Sequence, residues 1–148
     1  MYVVSACLLG EDCKYNGGNN FNEKVDKFCD THQFVVVCPE VMAGLTVPRL
    51  PIEKKKDGTY VSSAGVDMTK QMEEGARAAL FEALNASMKF ALDIEGAILK
   101  ARSPSCGSGK IYDGTFSHKE VDGDGALAKL FKEAGIPVFT EEQIDMID

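Results

Sequence analysis

No apolar run in this chain of 148 residues approaches the roughly 20 needed to cross a bilayer, so a membrane span is not expected. The first residues, MYVVSACLLG, lack the basic leader of a signal peptide and read instead as a buried strand, which points to the cytoplasm. Positive charge is in deficit: the net charge is −7, the wrong sign for a general nucleic-acid binder. There is no C-x-x-C pair of the kind that marks zinc knuckles and ferredoxins. The five cysteines are an odd number and too sparse for a disulfide scaffold, which favours free thiols or metal ligands. No G-x-G-x-x-G follows the first strand, so a dinucleotide fingerprint is absent. The only histidines, His32 and His118, stand in polar loop contexts and read as surface residues, which leaves no serine with a triad partner.

What is present reads as one domain over residues 1–148, with 45% apolar and 26% charged residues, ordinary for a globular protein. Residues 2–6, 34–37 and 94–100 predict strands, and the continuous apolar run at 34–37 predicts one buried on both faces. Residues 22–30 predict a short helix with Val25, Phe28 and Cys29 on one face. Met68, Met72, Ala76, Ala79, Ala83 and Phe90 recur at three- and four-residue steps, predicting a long helix over about 67–93 that Asp67 or Thr69 could cap. Residues 39–51, with Pro48 and Pro51, read as an ordered loop. Asp57-Gly58-Thr59 and Asp113-Gly114-Thr115 are turn signals, the second joining two short strands. The chain closes with a helix over 125–134, Gly135 as its stop, a strand over 136–140 and a last short helix. Strands alternating with helices imply an α/β fold: a three-layer sandwich with a mostly parallel sheet, Rossmann-like without the dinucleotide motif.

Cys7, Cys38 and Cys106 follow the ends of the three apolar strands. In an open parallel sheet the loops at the carboxyl ends share one edge, where ligands bind, so these distant cysteines can converge. Three thiolates without a fourth partner suit an iron–sulfur cluster or a metal with one open position. Arg102, Lys110, Gly107 and Gly109 surround Cys106 with charge and open amides that favour a thiolate. Cys13 shares the glycine-rich loop of Cys7 and could assist, whereas Cys29 reads as core. Glu40, two residues after Cys38, is placed to act as a general base. Ser103 and Ser105 could hydrogen-bond a substrate carbonyl or phosphate. Lys14, Arg49, Lys54, Lys55, Lys56, Lys100, Arg102 and Lys110, half of the 16 basic residues, lie near the cysteine loops and suit a small anion.

Five separated stretches in order, SACLLG at Cys7, KYNG from Lys14, CPE from Cys38, GLTVPR from Gly44 and KARSPSCG ending at Gly107, resemble the thiouracil desulfidase (TudS-like) family. The resemblance runs from Val4 to about Phe139. It implies a small α/β protein whose Cys7, Cys38 and Cys106 bind a 4Fe–4S cluster with one iron left open. It implies hydrolytic, non-redox replacement of the sulfur of a thiolated pyrimidine, such as 2-thiouracil or 4-thiouridine monophosphate, by oxygen. Glu40 and Ser103 fall in matching motifs and are the catalytic candidates; Arg49, Arg102, Ser105, Gly107 and Lys110 are the substrate-binding ones. Lys14 and Asn16 stand where the family often has arginine and aspartate, a departure local to that loop. A free base or nucleotide is the expected partner rather than a large nucleic acid, and a homodimer stays open. The competing readings are a sulfur-carrier module and a zinc or cluster protein without hydrolytic turnover.

Overall fold

The computed structural model describes residues 1–147. In chain order its elements are β1 (Tyr2–Ser5), α1 (Glu23–Asp30), β2 (Phe34–Val37), α2 (Pro39–Met42), β3 (Ile52–Lys54), β4 (Tyr60–Ser62) and α3 (Thr69–Phe90). They continue with β5 (Gly96–Leu99), β6 (Lys110–Tyr112), β7 (Glu120–Asp122), α4 (Ala126–Glu133) and β8 (Val138–Thr140). Single 3-10 segments, Ala6–Leu9 and Glu141–Met146, follow β1 and β8.

The main sheet has strand order β2-β1-β5-β8 and every pairing in it is parallel. Its alternation sorts the core into two layers. Val3, Ala97 and Leu99 face α3 and α4, meeting Met72, Ala76, Ala79, Leu127 and Phe131. Tyr2, Val4 and Ile98 face the other way, onto Val25 of α1 and Ile144 of the last 3-10 segment. The sandwich is therefore three layers, as the alternating pattern implies. β3–β4 and β6–β7 form two separate antiparallel ribbons, each built on one of the two Asp-Gly-Thr turns. No helix among the described residues is long and apolar enough to cross a membrane.

Four local expectations are corrected. The strand Phe34–Val37 is not buried on both faces: β2 is an edge strand, its Phe34 is 43% exposed, and Val37 alone of its four residues is buried. The stretch 39–51 opens with a helical turn, α2, because Pro39 at its first position has a preset φ and no N–H to leave unpaired. The long helix starts later and ends earlier than its apolar period suggests. Asp67 accepts the Thr69 N–H at 2.9 Å, the Thr69 hydroxyl accepts the Tyr60 N–H at 3.0 Å, and Ala91 in a left-handed conformation ends the helix. Phe90 is 61% exposed: the buried residues of α3 end at Ala83, and the period runs on past the packed surface.

Candidate active site

β1 is hydrogen-bonded to β2 on one side and β5 on the other, so the chain leaves it in opposite directions. That arrangement opens a crevice at the carboxyl ends. Cys7 sits there on the 3-10 turn after β1, Cys38 at the N-cap of α2 after β2, and Cys106 on the loop after β5. All three line one cavity of about 340 Å³.

Each cysteine is held by local hydrogen bonds. The Asn20 amide donates to Cys7 Sγ at 3.4 Å, and the Asn20 N–H to the Cys7 carbonyl at 3.0 Å. The Ser103 hydroxyl oxygen accepts the N–H groups of Ser105 at 3.2 Å and Cys106 at 3.1 Å. The first amides of α4 close over the same loop, Ala126 N–H reaching the Pro104 carbonyl at 3.1 Å and Leu127 N–H that of Ser105 at 2.7 Å. These are the orphan donors of a helix N-terminus, satisfied here by the cysteine loop. Gly125 is required at that junction, because a β-carbon would stand 2.6 Å from the Ser105 carbonyl carbon.

The sulfurs differ in character. Cys38 is lowered to about 7, first by a hydrogen bond from the Cys13 thiol, then by the Val41 N–H and the charge of Arg49, against its own burial. Cys13, as the donor, is driven upward. Burial raises Cys7, and it raises Cys106 to about 12 despite hydrogen bonds from Ser5 and Ser105. Cys7 feels the charge of Cys38, and Cys106 the charges of both, so the three sulfurs share one electrostatic environment. Buried thiols such as Cys7 and Cys106, which resist ionisation, become thiolates when a cationic centre binds them. Among the described residues no three His, Cys, Asp or Glu side chains form a ready-made site for a single metal ion. A four-iron cluster takes each cysteine at a different iron, and three cysteines that line one cavity and act on one another electrostatically supply the donor set for three of its irons.

Beside the sulfurs runs a directed chain of polar groups. Glu40 Oε2 accepts the Ser105 hydroxyl at 3.0 Å, and Ser105 Oγ lies 3.1 Å from Ser103 Oγ. Since Ser105 donates to the carboxylate, Ser103 donates to Ser105. Glu40 Oε1 accepts Arg49 Nε at 3.2 Å, and Arg49 Nη2 donates to the Cys13 carbonyl at 2.9 Å. The Arg49 and Glu40 side chains are only 8% and 13% exposed, so the pair is buried and each partner needs the other.

The cavity thus brings together Cys7, Cys38, Cys106, Glu40, Arg49, Arg102, Ser103 and Ser105, residues the sequence singles out. It does not bring Gly107 and Lys110. The Gly107 N–H is used within its turn, on the Ser103 carbonyl at 2.8 Å, and Lys110 pairs with Asp122 beside a smaller, separate cavity. The cations expected to take a phosphate are matched by carboxylates: Arg49 by Glu40, Arg102 by Glu142, and Lys100 likewise by Glu141. Among the described residues Lys14 is the lining lysine or arginine with no carboxylate at salt-bridge distance.

Sequence reasoning missed Asn20, Glu53, Tyr112 and His118 as lining residues. No local signal marks them; His118 is an exposed surface residue, as its loop context suggests, and it also lines the mouth of the cavity. His32 lies elsewhere, stacked on Phe28 with centroids 3.8 Å apart.

The profile of a family described as 2-thiouracil desulfurase matches residues 2–143. The protein YbbK of Bacillus subtilis (strain 168), described as uncharacterized, is 40% identical over 158 aligned positions, covering 99% of each chain. Among solved structures the chain is similar to the [4Fe-4S]-dependent thiouracil desulfidase TudS. The TM-score is 0.83 at 35% identity, covering 99% of this chain and 93% of that one.

Proposed function

The chain belongs to the 2-thiouracil desulfurase family, and from that membership we propose that it is a desulfidase acting on a thiolated pyrimidine, as free base or nucleotide. Thiouracil and water would give uracil and hydrogen sulfide, with no net transfer of electrons and no nicotinamide or flavin. The observation that carries this reading is the meeting of three strand-end cysteines with the Ser103–Ser105–Glu40 chain on one cavity. Cys7, Cys38 and Cys106 would hold a 4Fe–4S cluster, which supplies when bound an iron free of protein ligands, a Lewis acid able to take the substrate's sulfur.

The remaining chemistry falls to side chains of this chain. Glu40 orients a water against the thione carbon and takes its proton as the carbon–oxygen bond forms. Arg49 holds the carboxylate from one side and Ser105 from the other, so its geometry is set before substrate arrives. With the water's proton on Glu40, the carboxyl donates to Ser105, Ser105 to Ser103 and Ser103 to charge developing on the substrate, so the chain reverses direction as the base is protonated. The proton taken by Glu40 returns to the departing sulfide, and the hydroxyl proton left on the tetrahedral carbon follows through the same carboxylate as the carbonyl forms, so the sulfide leaves with both protons of the water.

The test is anaerobic reconstitution with iron and sulfide, followed by an assay of sulfide and uracil released from 2-thiouracil and 4-thiouridine monophosphate. Many turnovers per protein, dependent on the cluster, are expected. Release limited to one equivalent would mark a sulfur carrier instead, and a full cluster in Cys106→Ala would overturn the ligand assignment.

A further inference from the structure

The β6–β7 ribbon brings to the cavity two aromatic side chains that the proposed reaction leaves without a task. Tyr112, the last residue of β6, and His118, in the connection to β7, both line it. Their rings meet edge to face, with centroids 5.5 Å apart at 88°. The connection that presents His118 is held in an unfavourable conformation. Phe116 and His118 both have φ of 57°, in the left-handed region that costs a residue with a β-carbon about 1 kcal/mol or more.

A buried carboxylate maintains that conformation. Glu53 on β3 is 9% exposed, and its Oε1 accepts the N–H of Gly114 at 3.0 Å and of Phe116 at 3.1 Å. Gly114, at φ 93°, permits the approach, since a β-carbon there would meet the Lys55 Cα at 3.0 Å. One ribbon therefore anchors the other, and the anchored segment carries an imidazole beside a phenol on the wall of the cavity that the cysteines line. A rigid, strained presentation of two rings suits recognition of a third.

We propose that Tyr112 and His118 form the wall that recognises the pyrimidine ring, Tyr112 by packing against it and His118 by a hydrogen bond to a ring carbonyl or N–H. This rests on the desulfidase reading for the identity of the ring, but the binding step can be measured without turnover. His118 is a specificity residue here, and Glu53 a positioning residue acting through the 113–119 segment.

The test uses the cluster-loaded protein and uracil as probe, with calorimetric dissociation constants for wild type, His118→Ala, His118→Asn, Tyr112→Leu and Glu53→Gln. His118→Ala and Tyr112→Leu are expected to weaken uracil binding about tenfold, the worth of one modest hydrogen bond or ring contact, with cluster absorbance unchanged. His118→Asn, which tolerates the left-handed backbone and keeps a donor and an acceptor, is expected to recover part of the loss. In turnover, KM for 2-thiouracil should rise with kcat within about twofold. Unchanged dissociation constants in both aromatic variants, or a fall in kcat at constant KM, would overturn the proposal. Weakened uracil binding in a protein that releases no sulfide would uphold the wall and refute the reaction. Undetectable uracil binding by the wild type would refute the wall even if sulfide is released.

Discussion

Gly75 of α3 lies so close to Pro39 of α2 that a β-carbon at Gly75 would stand 2.1 Å from the Pro39 carbonyl oxygen. A glycine inside a helix costs about 1 kcal/mol relative to alanine. Here it lets the long helix seat the one-turn helix that begins at Cys38 and carries Glu40. Gly75→Ala should therefore destabilise the fold by about 1–3 kcal/mol through overpacking, despite the better helix propensity, as denaturant titration would show. It should also lower cluster content after reconstitution, since α2 must shift.

Replacing the base should separate cluster from catalysis. Glu40→Gln keeps the size of the side chain and an acceptor for Ser105 but cannot take a proton. Cluster absorbance should stay as in wild type while kcat falls by about 10² or more, the usual worth of a general base. Retained turnover would remove Glu40 from that role.

Ser105 is 2% exposed and links Ser103 to Glu40. Ser105→Ala should reduce kcat and destabilise the protein by about 1–3 kcal/mol, because Ser103 and Glu40 each lose a buried partner. Ser103→Ala should lower kcat with a smaller stability loss. A Ser105→Ala enzyme with wild-type kcat would exclude the relay.

Thiol reactivity in the metal-free protein should follow the order of the sulfurs. Cys38 is lowered to about 7, so it is a thiol below that pH and a nucleophilic thiolate above it. Alkylation at Cys38, followed by mass spectrometry under anaerobic conditions, should rise with pH through about 7. Cys106, raised to about 12 by burial, should stay unmodified at pH 8. Cys13→Ala removes the donor to Cys38 and should move its alkylation curve to higher pH.

Lys14 tests the form of the substrate. Since its ammonium lines the cavity without a carboxylate partner among the described residues, a phosphate entering there would meet it. Lys14→Gln should raise KM for 4-thiouridine monophosphate several-fold and leave KM for 2-thiouracil unchanged. Equal effects on both would remove the phosphate role.

Much of the fold was legible because its signals are local. The apolar run Phe34–Val37 marks a strand, the small-residue stripe of α3 marks a buried face by its period, and each Asp-Gly-Thr turn announces its ribbon. The apolar pattern misled at Phe90, where it outlasts the surface it packs on, and at β2, whose place at the sheet edge leaves Phe34 exposed. In the site, cysteines at strand ends were readable, since a strand end is a local feature. The partners of charged groups were not: Arg49, Arg102 and Lys110 all looked available as anion receptors, and all three are paired.

The order of residues along the chain determined an α/β sandwich, three thiols at strand ends, and the motifs that place the chain in its family. Only the tertiary structure decided that β1 stands between β2 and β5, which gathers those thiols on one rim. It alone set Ser105 against Glu40, 65 residues away, and brought the surface loop of His118 to the cavity. Periodicity is written by consecutive residues and survives reading one segment at a time. The partner of a long polar side chain depends on which distant segments pack together, and no stretch of sequence contains that choice.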